Sequence, residues 1–238
     1  MKALIFDCDG VLVDTEKDGH RVAFNRAFAA AGIDAEWSVA LYAELLKIAG
    51  GKERMTHYFN EQGWPQGHTA ETLIPELHKR KTAIFAELVA TGRLPLRPGV
   101  NRIVDAAHAA GVRLAVCTTS AAKSVDGVLD LMGPERKAKF ELVLAGDVVA
   151  KKKPDPEIYD LARRTLDLPA CECVVIEDSR NGLRAALGAG MPCLITTSTY
   201  TRDEDFTGAA RVVPELGDPP TVLVTLRDLQ AIAAQRAA

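Results

Sequence analysis

Short apolar runs alternate with helix-length amphipathic stretches over most of this chain. The first run, Lys2–Phe6, ends abruptly on two acids, Asp7 and Asp9. Four more runs, at 112–117, 142–145, 173–176 and 192–196, are almost continuously apolar. That is the pattern of strands buried on both faces of a parallel sheet. Arg211–Val213 predicts a short sixth strand. Helical spacing fills the intervals. Ile103, Ala107 and Ala110 share a face that Gly111 terminates. Asp155 and Pro156 read as an N-cap and first-turn pair, with Ile158, Leu161, Ala162 and Thr165 on one side behind them. Leu183, Ala186 and Leu187 precede a stop at Gly190. Strands and helices in alternation predict a parallel sheet with right-handed crossovers.

Residues 16–92 break this rhythm. Phe24, Phe28 and Ala31 share a helical face that ends at Gly32, and Leu41, Leu45 and Ile48 form another. Met55 with Phe59, and then Leu77, Ile84, Phe85 and Leu88, predict two more helices, the last opened by Pro75. Trp37 and Trp64 are expected to pack among them. The segment leaving this region, 94–99, is rich in Pro and Gly, as a domain-crossing linker should be. The expected fold is therefore α/β. It has a Rossmann-like core of residues 1–15 and 93–238, with a parallel sheet flanked by helices, and an inserted all-helical domain at 16–92.

Composition narrows the function. The 238 residues are 47% hydrophobic and 26% charged, ordinary values for a folded protein, with a net charge of −3. Basic runs such as Lys151-Lys152-Lys153 span only three residues, which argues against an electrostatic nucleic-acid binder. No stretch approaches the ~20 apolar residues of a membrane span, and the N-terminus lacks the order of a signal peptide. A cytoplasmic monomer with neither nucleic-acid nor membrane partners is expected. The five cysteines are odd in number, and Cys8, Cys117 and Cys193 lie in or beside apolar runs, which suits reduced, packed thiols. Cys171 and Cys173 have no second Cys or His pair at a zinc-like spacing.

Ligands of open α/β sheets bind beyond the carboxyl ends of the strands. The residues there are Asp7-Cys8-Asp9-Gly10, then Thr118-Thr119-Ser120, then Lys153-Pro154-Asp155, then Glu177-Asp178-Ser179. Two carboxylates at the tip of a buried strand are costly to leave charged without a cation nearby. Carboxylate oxygens suit an octahedral Mg²⁺. A carboxylate can also attack phosphorus, a second acid can shuttle the proton, and a lysine with hydroxyls can hold the phosphoryl oxygens. Together these residues suggest phosphoryl transfer.

The string DCDGVLVDT, the hydroxyls after the second strand, the lysine of KKKPDP and the IEDS segment resemble the four motifs of the haloacid dehalogenase superfamily, in order and across the whole chain. The helical insert resembles that superfamily's cap. The resemblance implies that Asp7 is the nucleophile and Asp9 the general acid/base, whose backbone carbonyl also meets Mg²⁺. It implies that Thr118 binds phosphate, with Thr119 and Ser120 beside it, and that Lys153 steadies nucleophile and phosphate. Asp178 is the implied metal ligand and Glu177 a ligand directly or through water. An acid at Asp9 implies a phosphatase or mutase, since the dehalogenases lack it.

DTEKDGHR, GGKERM and AGDVVAKKKPDP are further similar to the CbbY-type phosphatases, which dephosphorylate xylulose-1,5-bisphosphate, an inhibitory by-product of Rubisco. This implies a Calvin-cycle sugar bisphosphate as the small-molecule substrate, in the cytoplasm or the plastid stroma. It also implies substrate contacts from Glu16, His20, Lys52 and Arg54, the last two following a flexible Gly50-Gly51. His20 stands one residue further from Thr15 than its counterpart in most relatives. A phosphosugar mutase of the β-phosphoglucomutase type shares the core motifs and is the alternative.

Overall fold

The structure, a computed structural model, describes residues 1–91 and 94–235. It divides into two compact units, Met1–Asp14 with Pro95–Ala238, and Thr15–Leu94. The expected second boundary, between residues 92 and 93, lies outside the described residues.

The first unit is built on six parallel strands: β1 (Ala3–Phe6), β2 (Arg113–Thr118), β3 (Phe140–Ala145), β4 (Cys173–Glu177), β5 (Cys193–Thr196) and β6 (Arg211–Val213). Their order is β3-β2-β1-β4-β5-β6. Every residue of β1, β4 and β5 is buried, which is why these strands read as unbroken apolar runs. Alternate side chains point to opposite faces. Ala3, Ile5, Ala115, Cys117, Cys173 and Val175 form one face, packed with Ile158, Tyr159, Ala162, Leu183 and Ala186 of the later helices.

The second unit begins with a π-helical turn, Glu16–His20, which runs into α1 (Arg21–Ala30). It continues with α2 (Val39–Leu45), α3 (Gly51–Gln62) and α4 (Ala70–Ala90). Its core is aromatic. Trp37 is fully buried and lies 4.6 Å from Phe24, 5.0 Å from Phe28 and 5.8 Å from Tyr42, between ring centroids. Trp64 packs on Phe59 at 5.4 Å. Pro75 does not open the last helix but lies inside it. The helix starts at Ala70 because Thr69 and Thr72 form a capping box. Pro75 then forfeits a single backbone hydrogen bond near the N-terminal end, a cost that the buried Leu73, Ile74 and Leu77 offset.

The helices of the first unit are α5 (Val100–Ala109), α6 (Ala122–Asp130), α7 (Pro134–Lys137), α8 (Glu157–Thr165), α9 (Arg180–Gly188) and, after the last strand, α10 (Leu226–Ala234). The residue before α8 is Pro156 rather than Asp155, yet Asp155 Oδ1 still accepts from the Glu157 amide at 3.1 Å. The buried face of α8 is Ile158, Tyr159 and Ala162, with Leu161 half-buried against the same core and Thr165 exposed rather than on that face. Tyr159 is buried there with its hydroxyl hydrogen-bonded at the sheet's end.

Candidate active site

Strand register brings the acids into line. Phe6 pairs with Val116 on one side and Ile176 on the other, so one step further Asp7 stands beside Cys117 and Glu177. The Asp7 amide still donates to Ile176 O at 2.9 Å, which fixes the backbone just where the strand ends. The chain then turns tightly. Gly10 N donates to Val13 O and Leu12 N to Cys8 O, with Gly10 at φ +77°.

Lys153 closes the group. Its Nζ donates to Asp7 Oδ1 at 2.7 Å, Glu177 Oε1 at 2.5 Å and Cys117 O at 2.9 Å, and the residue is only 6% exposed. Burial pushes the Asp7 carboxyl up to about 7, against the pull of Lys153 and with help from Glu177 and Asp9. Burial works the other way on the Lys153 ammonium, but Asp7 and Glu177 outweigh it and carry its pKa upward. An ammonium held between two carboxylates stays charged at any physiological pH. The thiols of Cys8, Cys117 and Cys193 are pushed up by burial, which leaves them neutral and inert.

Asp178 lies one residue past β4. One oxygen from each of Asp7, Glu177 and Asp178 can be chosen so that all three lie within 4.8 Å of one another. These are hard oxygen donors, and Gly10 leaves them room. A Cβ on that glycine would stand 2.0 Å from Asp178 Oδ2. The donor set and the space both fit Mg²⁺. Glu177 is the most committed of the three. Its Oε1 accepts from Lys153 and from Tyr159 Oη at 2.5 Å, and its Oε2 accepts from the Asp178 amide at 3.2 Å.

The hydroxyl cluster divides its work. Thr118 is buried at the end of β2, and its Oγ1 accepts from the Ser120 amide at 3.2 Å. Ser120 Oγ donates to Asp9 Oδ2 in a short hydrogen bond, so it orients that acid. Thr119 is half-buried beside them. Asp7, Asp9, Thr118, Thr119, Ser120, Lys153, Glu177 and Asp178 thus all sit at the carboxyl end of the sheet in the first unit.

Glu16, His20, Lys52 and Arg54 belong to the second unit. Glu16 Oε2 accepts from Tyr42 Oη at 2.5 Å. His20 is buried, stacked on Phe85 with ring centroids 4.0 Å apart. Its Nδ1 lies 2.5 Å from Lys81 Nζ, and since an ammonium only donates, Nδ1 is the acceptor. Lys52 is half-buried in the first turn of α3. Arg54 is 7% exposed and spends its guanidinium on Leu45 O, Ile48 O and Tyr42 Oη. Gly50 answers to backbone geometry, and Gly51 to close packing. Gly50 takes φ +94°, and a Cβ on Gly51 would come within 3.2 Å of Phe24 Cζ.

Three residues at these sites escaped the sequence reading. Tyr159 looked like any aromatic of an amphipathic helix. Gly182, where a Cβ would run into the Glu177 carboxylate, carried no signal beyond being a glycine in a helix. Tyr42, which links Arg54 to Glu16, carried none at all.

Comparison with known proteins follows the same lines. The protein-family model described as haloacid dehalogenase-like hydrolase matches residues 1–190. The CBBY-like protein of Arabidopsis thaliana is 54% identical over 224 residues, covering 92% of this chain and 70% of that one. Protein CbbY of Cereibacter sphaeroides is 43% identical, covering 92% of this chain and 94% of that one. The crystal structure of a mutant CbbY from Rhodobacter sphaeroides in complex with xylulose-(1,5)bisphosphate superposes with a TM-score of 0.88 at 41% identity, covering 96% of this chain and 99% of that one.

Proposed function

The chain belongs to the haloacid dehalogenase-like hydrolase family, and from that premise we propose that this sugar phosphatase is Mg²⁺-dependent, acts on xylulose-1,5-bisphosphate and works through an aspartyl-phosphate at Asp7. The observation that carries the reading is the Asp7–Lys153 pair, buried at the strand tip with a second acid two residues on. A purely structural pair would need neither Asp9 nor its Ser120 partner.

Asp7 attacks phosphorus, forming an O–P bond as the bond to the sugar oxygen breaks. Asp9, held by Ser120, gives its proton to the departing alkoxide and later takes one from the water that releases phosphate. Thr118 and Thr119 hold the phosphoryl oxygens, Lys153 faces them with its charge while fixing the rotamer of the nucleophile, and Ser120 stays beside them on Asp9. Asp7, Asp178, Glu177 and the Asp9 backbone carbonyl would hold Mg²⁺, which supplies positive charge against the phosphoryl group.

The core residues meet only the phosphate being transferred, so the remainder of the sugar is read by the second unit, through Glu16, His20, Lys52 and Arg54. A bisphosphate carries a second dianion that needs a cation when desolvated, and Lys52 is the candidate whose side chain is less buried than that of Arg54. An enzyme for this substrate would work where carbon is fixed, in the cytoplasm or the plastid stroma. The test is phosphate release with Mg²⁺ from a panel of pentulose, hexose and bisphosphate esters. Turnover concentrated on xylulose-1,5-bisphosphate is expected. A flat profile, or isomerised phosphosugar without phosphate release, contradicts the reading.

A further inference from the structure

We infer that Arg97 is a positioning residue for phosphoryl transfer, clamping the loop that carries Asp7 and Asp9 against Asp178; the kinetic part of this inference rests on the function proposed above. Arg97 lies in the segment entering α5, between Leu96 and Pro98. Its backbone amide donates to Leu12 O at 2.9 Å, and Leu96 bridges Val13 beside it. Its side chain does more. Nη1 donates to Gly10 O in a short hydrogen bond, and Nη2 donates to Thr197 O at 2.7 Å and to Pro214 O. One guanidinium therefore ties the turn after β1 to the segments that follow β5 and β6.

The acceptor on the first of these is the informative one. Gly10 directly follows Asp9, and its Cα lies so close to Asp178 that a Cβ would meet that carboxylate. The Gly10 peptide is thus held on one side by Arg97 and confined on the other by Asp178. Movement of this peptide by a few tenths of an ångström would alter the spacing of Asp7, Asp9 and Asp178 together. The Arg97 charge also lies within electrostatic reach of Asp14, Asp178 and Glu215, with Arg202 as the opposing cation, so it adds positive potential at Asp178. The guanidinium reaches these three carbonyls from two separate nitrogens in a fixed plane, whereas the donors of a lysine diverge from a single nitrogen.

Arg102 supplies the control. It too spends its guanidinium on carbonyls, those of Leu216 at 3.0 Å, Gly217 at 3.1 Å and Val224 at 2.9 Å, but none lies in the catalytic loop. If Arg97 were merely structural, the two arginines would behave alike. A cavity of about 320 Å³ lined by Asp14, Leu96, Arg97, Thr197 and Glu215 further gives a small cation a way to the vacated place.

The experiment compares Arg97→Ala, Arg97→Lys and Arg102→Ala in the full chain by Mg²⁺ titration calorimetry, thermal melting and kcat and KM for phosphate release. Arg97→Ala is expected to weaken Mg²⁺ binding and lower kcat at least tenfold each, with KM within threefold of the parent. Arg97→Lys should fall between, and millimolar methylguanidinium should recover part of the loss in Arg97→Ala. Arg102→Ala should melt earlier yet keep Mg²⁺ affinity and kcat within twofold. Equal losses in both alanine variants, or Mg²⁺ affinity unchanged in a folded Arg97→Ala, would overturn the inference. Should Arg97→Ala fail to fold, Arg97→Lys carries the same comparison. A parent enzyme that binds Mg²⁺ but releases no phosphate would refute the proposed function alone, because the calorimetry still reads the Arg97 clamp.

Discussion

Gly182 and Glu177 share a space that only one side chain can fill. A Cβ on Gly182 would lie 1.9 Å from Glu177 Cδ and 2.0 to 2.2 Å from its oxygens. Gly182 sits in the first turn of α9, where alanine would ordinarily help by up to ~1 kcal/mol. Here it must displace the carboxylate that receives Lys153 and Tyr159. Gly182→Ala should therefore destabilise the protein by about 1–3 kcal/mol, as overpacking does. The cost should vanish when Gly182→Ala is combined with Glu177→Ala, since the two share one contact. Urea denaturation of the four proteins in the cycle measures this, and additive effects would contradict the shared-space account.

The buried carboxyl of Asp7 leaves a signature in stability against pH. Its pKa is about 7 in the folded state and ~3.9 in an unfolded chain. Between these values the folded state binds the extra proton, so the contribution of this group is fully present below ~4 and lost as pH rises to about 7. Asn cannot titrate. In EDTA the stability of Asp7→Asn should gain steadily on that of the parent from pH 4 to pH 7 and then level off. Denaturation across that range checks it, and a gap that is constant or of opposite slope would be inconsistent with the burial of Asp7.

Much of this arrangement was legible in the sequence, and the reason is physical. Parallel strands buried on both faces are continuous apolar runs, so the strand runs stood out, and whatever polar residue interrupts such a run lies at its tip. Asp7, Thr118 and Glu177 were visible for that reason. What stayed hidden depends on approach between residues far apart in the chain. Nothing local marks Gly182 as the floor beneath Glu177, or Arg97 as the partner of a carbonyl 87 positions earlier. The three acceptors of Arg54 stayed hidden as well, because they come from α2 and the segment behind it, not from its own helix. Pro75 misled through propensity, which the Thr69 cap overrode.

Metal dependence should follow ligand geometry. EDTA is expected to abolish phosphate release, Mg²⁺ to restore it, and Ca²⁺ not to. Calcium takes more oxygens at longer distances, which would separate Asp7 from the phosphate. Full activity in EDTA, or equal activity with Ca²⁺, would remove the metal from the account.

Lys52 and Arg54 should separate. Lys52→Ala is expected to raise KM for the bisphosphate at least tenfold while leaving hydrolysis of a small generic phosphate ester little changed, since one charge-assisted contact is worth ~1.5–3 kcal/mol. Arg54→Ala empties a buried site with three acceptors, so it should lower the melting temperature and also free Tyr42 from its role beside Glu16. Steady-state kinetics on both esters, with melting curves, tests the pair. Equal loss on both esters in Lys52→Ala would contradict its substrate role.

The central claim is that Asp7 carries the phosphoryl group. Rapid acid quench during turnover, followed by borohydride reduction and mass spectrometry, reads it directly, because an aspartyl-phosphate is reduced to homoserine. The account predicts homoserine at position 7, more of it in Asp9→Ala, whose intermediate should break down more slowly, and none in Asp7→Asn, whose turnover should also be lost. Undiminished turnover in Asp7→Asn, or no trapped residue at position 7 in either Asp9→Ala or the parent while phosphate is being released, would contradict it.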